Sequence, residues 1–139
     1  MNKINALKEL EDIYQEGQDP YFDGYLQEPL NMSTYHLVKN FIMYTLPGDL
    51  PDPDISIEPN GTIDLEWYCE STRDFVCLCM FHTMVDEYPY KISIFYRLDD
   101  VYNTIIFDLN EPYPVCLMWK SMKHLIDHLT ALVNDLFGS

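Results

Sequence analysis

Thr62-Ile63-Asp64-Leu65-Glu66-Trp67-Tyr68 is the stretch whose reading decides the fold. Ile63, Leu65 and Trp67 fall on one side of an extended chain, and Thr62, Asp64 and Glu66 on the other. That period of two marks a strand with one buried face. Just upstream, Asn60-Gly61 signals a hairpin turn, and Ile55–Ile57 supplies a short partner strand. Downstream, Phe75–Phe81 is apolar at positions of both parities and reads as a central strand. Lys91–Arg97 alternates Ile92, Ile94 and Tyr96 inward. Asp99-Asp100 and Asn103 mark a turn, after which Thr104–Leu109 makes a fifth strand. Short successive connections favour an antiparallel meander.

Helices flank these strands. Ile4, Leu7, Leu10 and Tyr14 recur at helical spacing and predict a helix over about 2–16, with Gly17 just past its end. Ser33 is placed to cap a second helix to about 46, stopped by Pro47-Gly48. Glu111-Pro112-Tyr113-Pro114 leads into the longest helix, about 115–136, with an apolar stripe through Val115, Met118, Met122, Leu125, Leu129, Val133 and Leu136. A stripe of that kind must be buried, and a sheet face is the surface available. The sequence therefore predicts a single α+β domain over 1–139: a four- to five-stranded antiparallel sheet with N-terminal helices and a long C-terminal helix packed on it. Strands are expected at about 55–57, 62–68, 75–81, 91–97 and 104–109.

Charge supplies the functional signal. Twenty-three acids against eight bases give a formal net charge of −15. From Glu9 to Glu70 the only base is Lys39, while Glu9, Asp12, Glu16, Asp19, Asp23, Asp49, Asp52, Asp54, Glu58, Asp64 and Glu66 crowd the same region. A field of one sign attracts basic partners and repels nucleic acids and anionic membranes. The chain has only two arginines, Arg73 and Arg97, so it is poorly equipped to displace counterions from a duplex. The inverse role fits better. Alternate residues of a strand stand about 6–7 Å apart, the order of the gap between neighbouring phosphates of one nucleic-acid strand. Carboxylates at Asp52, Asp54, Glu58, Asp64 and Glu66, joined by Glu9, Asp12 and Glu16 if the first helix lies alongside, would imitate such a track. Tyr21, Phe22 and Tyr25, set among Asp19 and Asp23, supply aromatic anchors for the centre of an interface.

Catalytic and metal signatures are weak. No serine stands in G-x-S-x-G and no glycine-rich loop precedes a helix. His124 and His128 share a helix face at zinc-ligand spacing, but without the glutamate of H-E-x-x-H, and they read as surface residues. Four cysteines stand at 69, 77, 79 and 116. Cys77 and Cys79 alternate onto one sheet face, and a lone C-x-C reads as reduced, buried thiols. No enzyme activity, metal or cofactor is expected. Nothing resembles a signal peptide or a membrane span, so the expected compartment is the cytoplasm.

The run from Leu50 to Trp67, Leu-Pro-Asp-Pro-Asp-Ile-Ser-Ile-Glu-Pro-Asn-Gly-Thr-Ile-Asp-Leu-Glu-Trp, resembles a recurrent block of uncharacterised small bacterial and mobile-element proteins. The resemblance implies an α+β hairpin core and transfers no activity. In overall style the chain is also similar to phage anti-CRISPR proteins. That likeness implies a non-catalytic acidic inhibitor that covers the basic nucleic-acid-binding surface of a CRISPR–Cas effector, a DNA mimic in effect. The alternative is an immunity protein or antitoxin neutralising a basic nuclease toxin. Either way the expected partner is a basic protein, with no direct contact to nucleic acid or membrane.

Overall fold

The computed structural model describes residues 1–16, 32–82, 90–108 and 115–138, with the backbone alone at 82, 90, 108 and 115–122. Five strands form one antiparallel sheet in the order of the chain: β1 (Asp54–Ile57), β2 (Ile63–Cys69), β3 (Asp74–His82), β4 (Tyr90–Leu98) and β5 (Val101–Asp108). The α-helices among the described residues are α1 (Lys3–Glu16), α2 (Met32–Asn40) and α3 (Val115–Phe137). This is the expected α+β meander.

Alternation fixes which face is the core. Register pairs Ile55 with Leu65, Leu65 with Leu78, Leu78 with Ile94 and Ile94 with Ile105. A parallel row runs Ile57, Ile63, Met80, Ile92 and Phe107. Both rows lie on one side. They pack against Ala6, Leu10 and Ile13 of α1, Val38 of α2, and Leu125, Leu129, Val133 and Leu136 of α3. These three helices therefore supply a single layer, and among the described residues that is the one side of the sheet that helices cover.

The proline-rich connector belongs to this core. Trp67 is buried, and its indole N–H donates to the Pro51 carbonyl at 2.7 Å. The two ends of the Leu50–Trp67 block are thus held together. Leu50, Ile55, Ile63, Leu65 and Trp67 are all core residues, so the apolar pattern of this block encodes packing. The turn within it spans Pro59-Asn60-Gly61: Gly61 N–H returns to Glu58 O at 2.9 Å, and Gly61 takes φ 90°. It is a three-residue hairpin loop with glycine at the left-handed position.

Two boundaries differ from expectation by more than a residue. The second helix stops being α-helical at Asn40 and widens into a π-turn over Phe41–Thr45, closed by Leu46 N–H to Phe41 O at 2.8 Å. Leu46 precedes Pro47 and adopts ψ 125°, because a residue before proline is driven out of the helical region. The wider turn keeps Leu46 on the buried stripe of Val38, Phe41 and Ile42. The β4–β5 turn uses Asp99 and Asp100 alone, both at positive φ, so pairing resumes at Val101 rather than 104. Asn103 stands inside β5. Asp and Asn tolerate the left-handed region that this two-residue turn requires.

Helices α1 and α2 are joined by a hydrogen bond from the Tyr35 hydroxyl to the Glu11 carboxylate, with the Tyr14 ring packed at a tilt against Tyr35, 4.4 Å between ring centroids. The bond holds Glu11 below its ordinary value and pushes Tyr35 up to about 12. A depressed carboxylate contributes stability above its unfolded pKa and loses it as pH falls through the folded one. Tyr35→Phe is therefore expected to raise the Glu11 titration, followed by its carboxyl resonance, and to make stability less sensitive to acid. Leu78→Ala, at the centre of the middle strand, is expected to cost about 2–5 kcal/mol in urea denaturation.

Candidate functional site

The second face of the sheet carries the side chains that the helical layer leaves out. In register from β1 to β5 they run Asp54, Glu66, Cys77, Phe95, Thr104 in one row and Ser56, Asp64, Cys79, Ser93, Ile106 in the next. A third row adds Tyr68, Phe75, Arg97 and Tyr102 at one end. Among the described residues no helix packs on this face. Ile106 is 79% exposed, Tyr102 62%, Tyr68 43% and Phe95 38%.

Aromatic rings gather over β3–β5. Phe75, Phe95 and Tyr102 contact one another with centroids 5.2–6.4 Å apart. Arg97 lies over Tyr102 at 5.8 Å. Its guanidinium is already engaged by Asp74 at 3.2 Å, by Asp100 and by the Thr72 carbonyl, which ties the β2–β3 turn to the β4–β5 turn. The patch is therefore apolar with its one arginine neutralised. Monomeric proteins seldom leave a contiguous apolar patch exposed without a use for it.

Carboxylates occupy the opposite flank, on β1 and β2. Asp54 stands directly across from Glu66, and Glu58 lies beside Asp64. Like charges placed opposite on a sheet are mildly destabilising. The ion pairs among the described residues, Arg97 with Asp74 and Asp100 and Lys123 with Asp127, involve none of these four. Helix α1 runs along the β1 edge: Glu9 accepts the Ile55 N–H at 3.2 Å, and Asp52 accepts the Asn2 N–H at 2.7 Å. The first helix is thus adjacent to the strand acids. Glu9 also occupies an edge N–H that would otherwise recruit another strand. Asp49, Asp52, Asp54, Asp12 and Glu16 are exposed.

Asp64 departs from the expected role. It is half-buried between β1 and β3, its Oδ1 is buried without a hydrogen bond, and burial pushes its carboxyl up to about 9. That shift favours the neutral form, so Asp64 is a weaker member of an anionic track than the exposed carboxylates around it. Its neighbours are Cys77 and Cys79, whose sulfurs lie 3.8 Å apart, and the three ligand atoms fall within 4.8 Å of one another. The hydrogen bond from Cys77 draws Cys79 down to about 7, and the same bond together with burial pushes Cys77 up.

Of the residues singled out by sequence, Glu9, Asp52, Asp54, Glu58, Asp64 and Glu66 are brought together around β1 and β2. Asp19, Tyr21, Phe22, Asp23 and Tyr25 lie outside the described residues. The aromatic cluster of Phe75, Phe95 and Tyr102 was not foreseen. Its signal was apolar residues at the solvent parity of β3 in a chain with helices enough for one layer. His124 and His128 pack against each other and the edge of Phe107 on the helical side. Among the described residues no helix is long and apolar enough to cross a membrane.

Comparison with protein-family models, curated proteins and solved structures returned no match. The open face is expected to bind a hydrophobic dye in the native state. Replacing Phe95, Tyr102 and Ile106 together with serine should cut the fluorescence enhancement at least twofold while leaving cooperative unfolding in place.

Proposed function

We propose that this chain is a non-catalytic binding protein that docks a basic protein partner through its open sheet face. The aromatic cluster of β3–β5 forms the buried centre of the interface, and the carboxylates of β1, β2 and the adjoining connector form its rim. The observation that carries this reading is the pairing, on a face that no described helix covers, of an exposed aromatic patch with a flank of carboxylates that no described base neutralises. Interface cores favour aromatic residues, while rim charges guide approach and fix register.

The partner of matching chemistry is a protein whose basic surface normally holds nucleic acid. The reading deepens to an anti-CRISPR-like inhibitor that covers the nucleic-acid channel of a CRISPR–Cas effector. Asp52, Asp54, Glu58 and Glu66 stand in for phosphates there, and Asp64, whose neutral form is favoured, is left out of the set. An immunity protein or antitoxin against a basic nuclease uses the same chemistry, so both targets belong in the test.

The measurement is competition against labelled DNA for a CRISPR–Cas effector and, in parallel, for a basic nuclease. Wild-type inhibition is expected to weaken roughly tenfold or more between about 50 and 300 mM salt, as screening shortens the range of the rim charges. Lys substitution at Asp52, Asp54 and Glu66 together should weaken it by a similar factor in a variant whose circular dichroism is unchanged. An inhibition constant indifferent to both salt and charge reversal rejects the acidic rim. Inhibition of the nuclease alone would assign the antitoxin role.

A further inference from the structure

We propose that Asp64, Cys77 and Cys79 form a binding site for one thiophilic d10 cation, zinc foremost. The site goes beyond the docking reading and does not depend on it.

Asp64 and Cys79 are direct partners across β2 and β3, and Cys77 precedes Cys79 by one pleat on the same face. All three side chains therefore converge from two hydrogen-bonded strands in the middle of the sheet, where ligand positions are held more firmly than on a loop. Their donor atoms lie within 4.8 Å of one another. Two sulfurs bound to zinc at about 2.3 Å with a tetrahedral angle stand about 3.8 Å apart. The observed Sγ–Sγ separation is 3.8 Å. The pair is thus already spaced as an edge of a zinc tetrahedron.

A disulfide is the competing use of such a pair, and the strand disfavours it. An extended i, i+2 spacing holds the Cα atoms about 6.6 Å apart, near the far limit for a disulfide, whose sulfurs must close to about 2.05 Å. The third donor supplies independent support. Asp64 Oδ1 is buried and makes no hydrogen bond, a costly state for a carboxyl oxygen that a cation would relieve. Glu58 beside Asp64 and Glu66 across from Cys77 add negative potential at the mouth of the site.

The donor set selects the ion. Two sulfurs and one carboxylate suit zinc, and soft thiolates discriminate against magnesium and calcium, which take oxygen ligands. Three protein ligands leave a fourth position for water or for a donor from a docked partner, as in zinc sites that remain open. The cation binds the thiolate forms of Cys77 and Cys79 and the carboxylate of Asp64, and the protons these groups carried leave to solvent.

Cobalt titration of the reduced, full-length chain under anaerobic conditions tests this. One equivalent of Co²⁺ is expected to produce sulfur-to-metal charge-transfer absorption and tetrahedral visible bands, both abolished by one equivalent of Zn²⁺ and unaffected by excess Mg²⁺. Cys79→Ser should remove about half of the charge-transfer intensity, and Cys77→Ser with Cys79→Ser all of it. Asp64→Asn should keep the two-sulfur spectrum while weakening affinity roughly tenfold or more. His124→Ala with His128→Ala should change nothing. Absence of the charge-transfer band in folded, reduced protein overturns the proposal, as does its survival in the double cysteine variant. Where a variant loses its fold by circular dichroism, zinc protection of Cys77 and Cys79 from alkylation in the wild-type chain decides instead: equal labelling with and without zinc overturns the site.

Discussion

A pleated sheet has two faces, and here the described helices cover one. Ile63, Leu65 and Trp67 point to the helices, so Asp64, Glu66 and Tyr68 must point away from them. The same parity carries across the next three strand pairings to Phe95 and Ile106. Slipping any strand by one residue would exchange core for surface along its whole length, so the apolar packing that stabilises the domain also fixes what the outer face presents. The composition of that face is a consequence of the core.

Two populations of side chain then meet on one surface. Towards β5, apolar residues remain in water because no described element covers them. Towards β1, carboxylates accumulate because the neighbouring connector and α1 are acidic as well. Between them sit Asp64, Cys77 and Cys79, where the solvation of the rim gives way to the drier centre. Burial there favours the neutral form of the Asp64 carboxyl, which separates it chemically from Asp54 and Glu66 although all three share a face. Position on one face of the sheet thus divides acidic residues into rim anions and a prospective ligand.

Clamps at the ends keep this surface in shape. Arg97 links the β2–β3 and β4–β5 turns through Asp74, Asp100 and Thr72, so the base nearest the aromatic patch serves the fold rather than a partner. Trp67 draws the Pro51 carbonyl against the sheet, and Glu9 closes the Ile55 edge of β1. The second restraint is itself a carboxylate of the acidic region, so part of the surplus charge has structural work and only the remainder is free for recognition.

Strand parity and the order of elements were legible in the sequence, because the period of two in Thr62–Tyr68 and Lys91–Arg97 and the stripe of the last helix are local properties of the chain. The concentration of acid between Glu9 and Glu70 was legible for the same reason. The meeting of Asp64 with Cys79 was not. It depends on register between β2 and β3, which is set by the turn at Glu70–Arg73, where Arg73 takes φ 63° and its N–H returns to Cys69 O. Whether an apolar residue at the outer parity is covered depends on how many layers assemble, and whether a carboxylate is charged depends on its depth. Register, coverage and depth arise only when distant segments come together, so tertiary structure alone decided them.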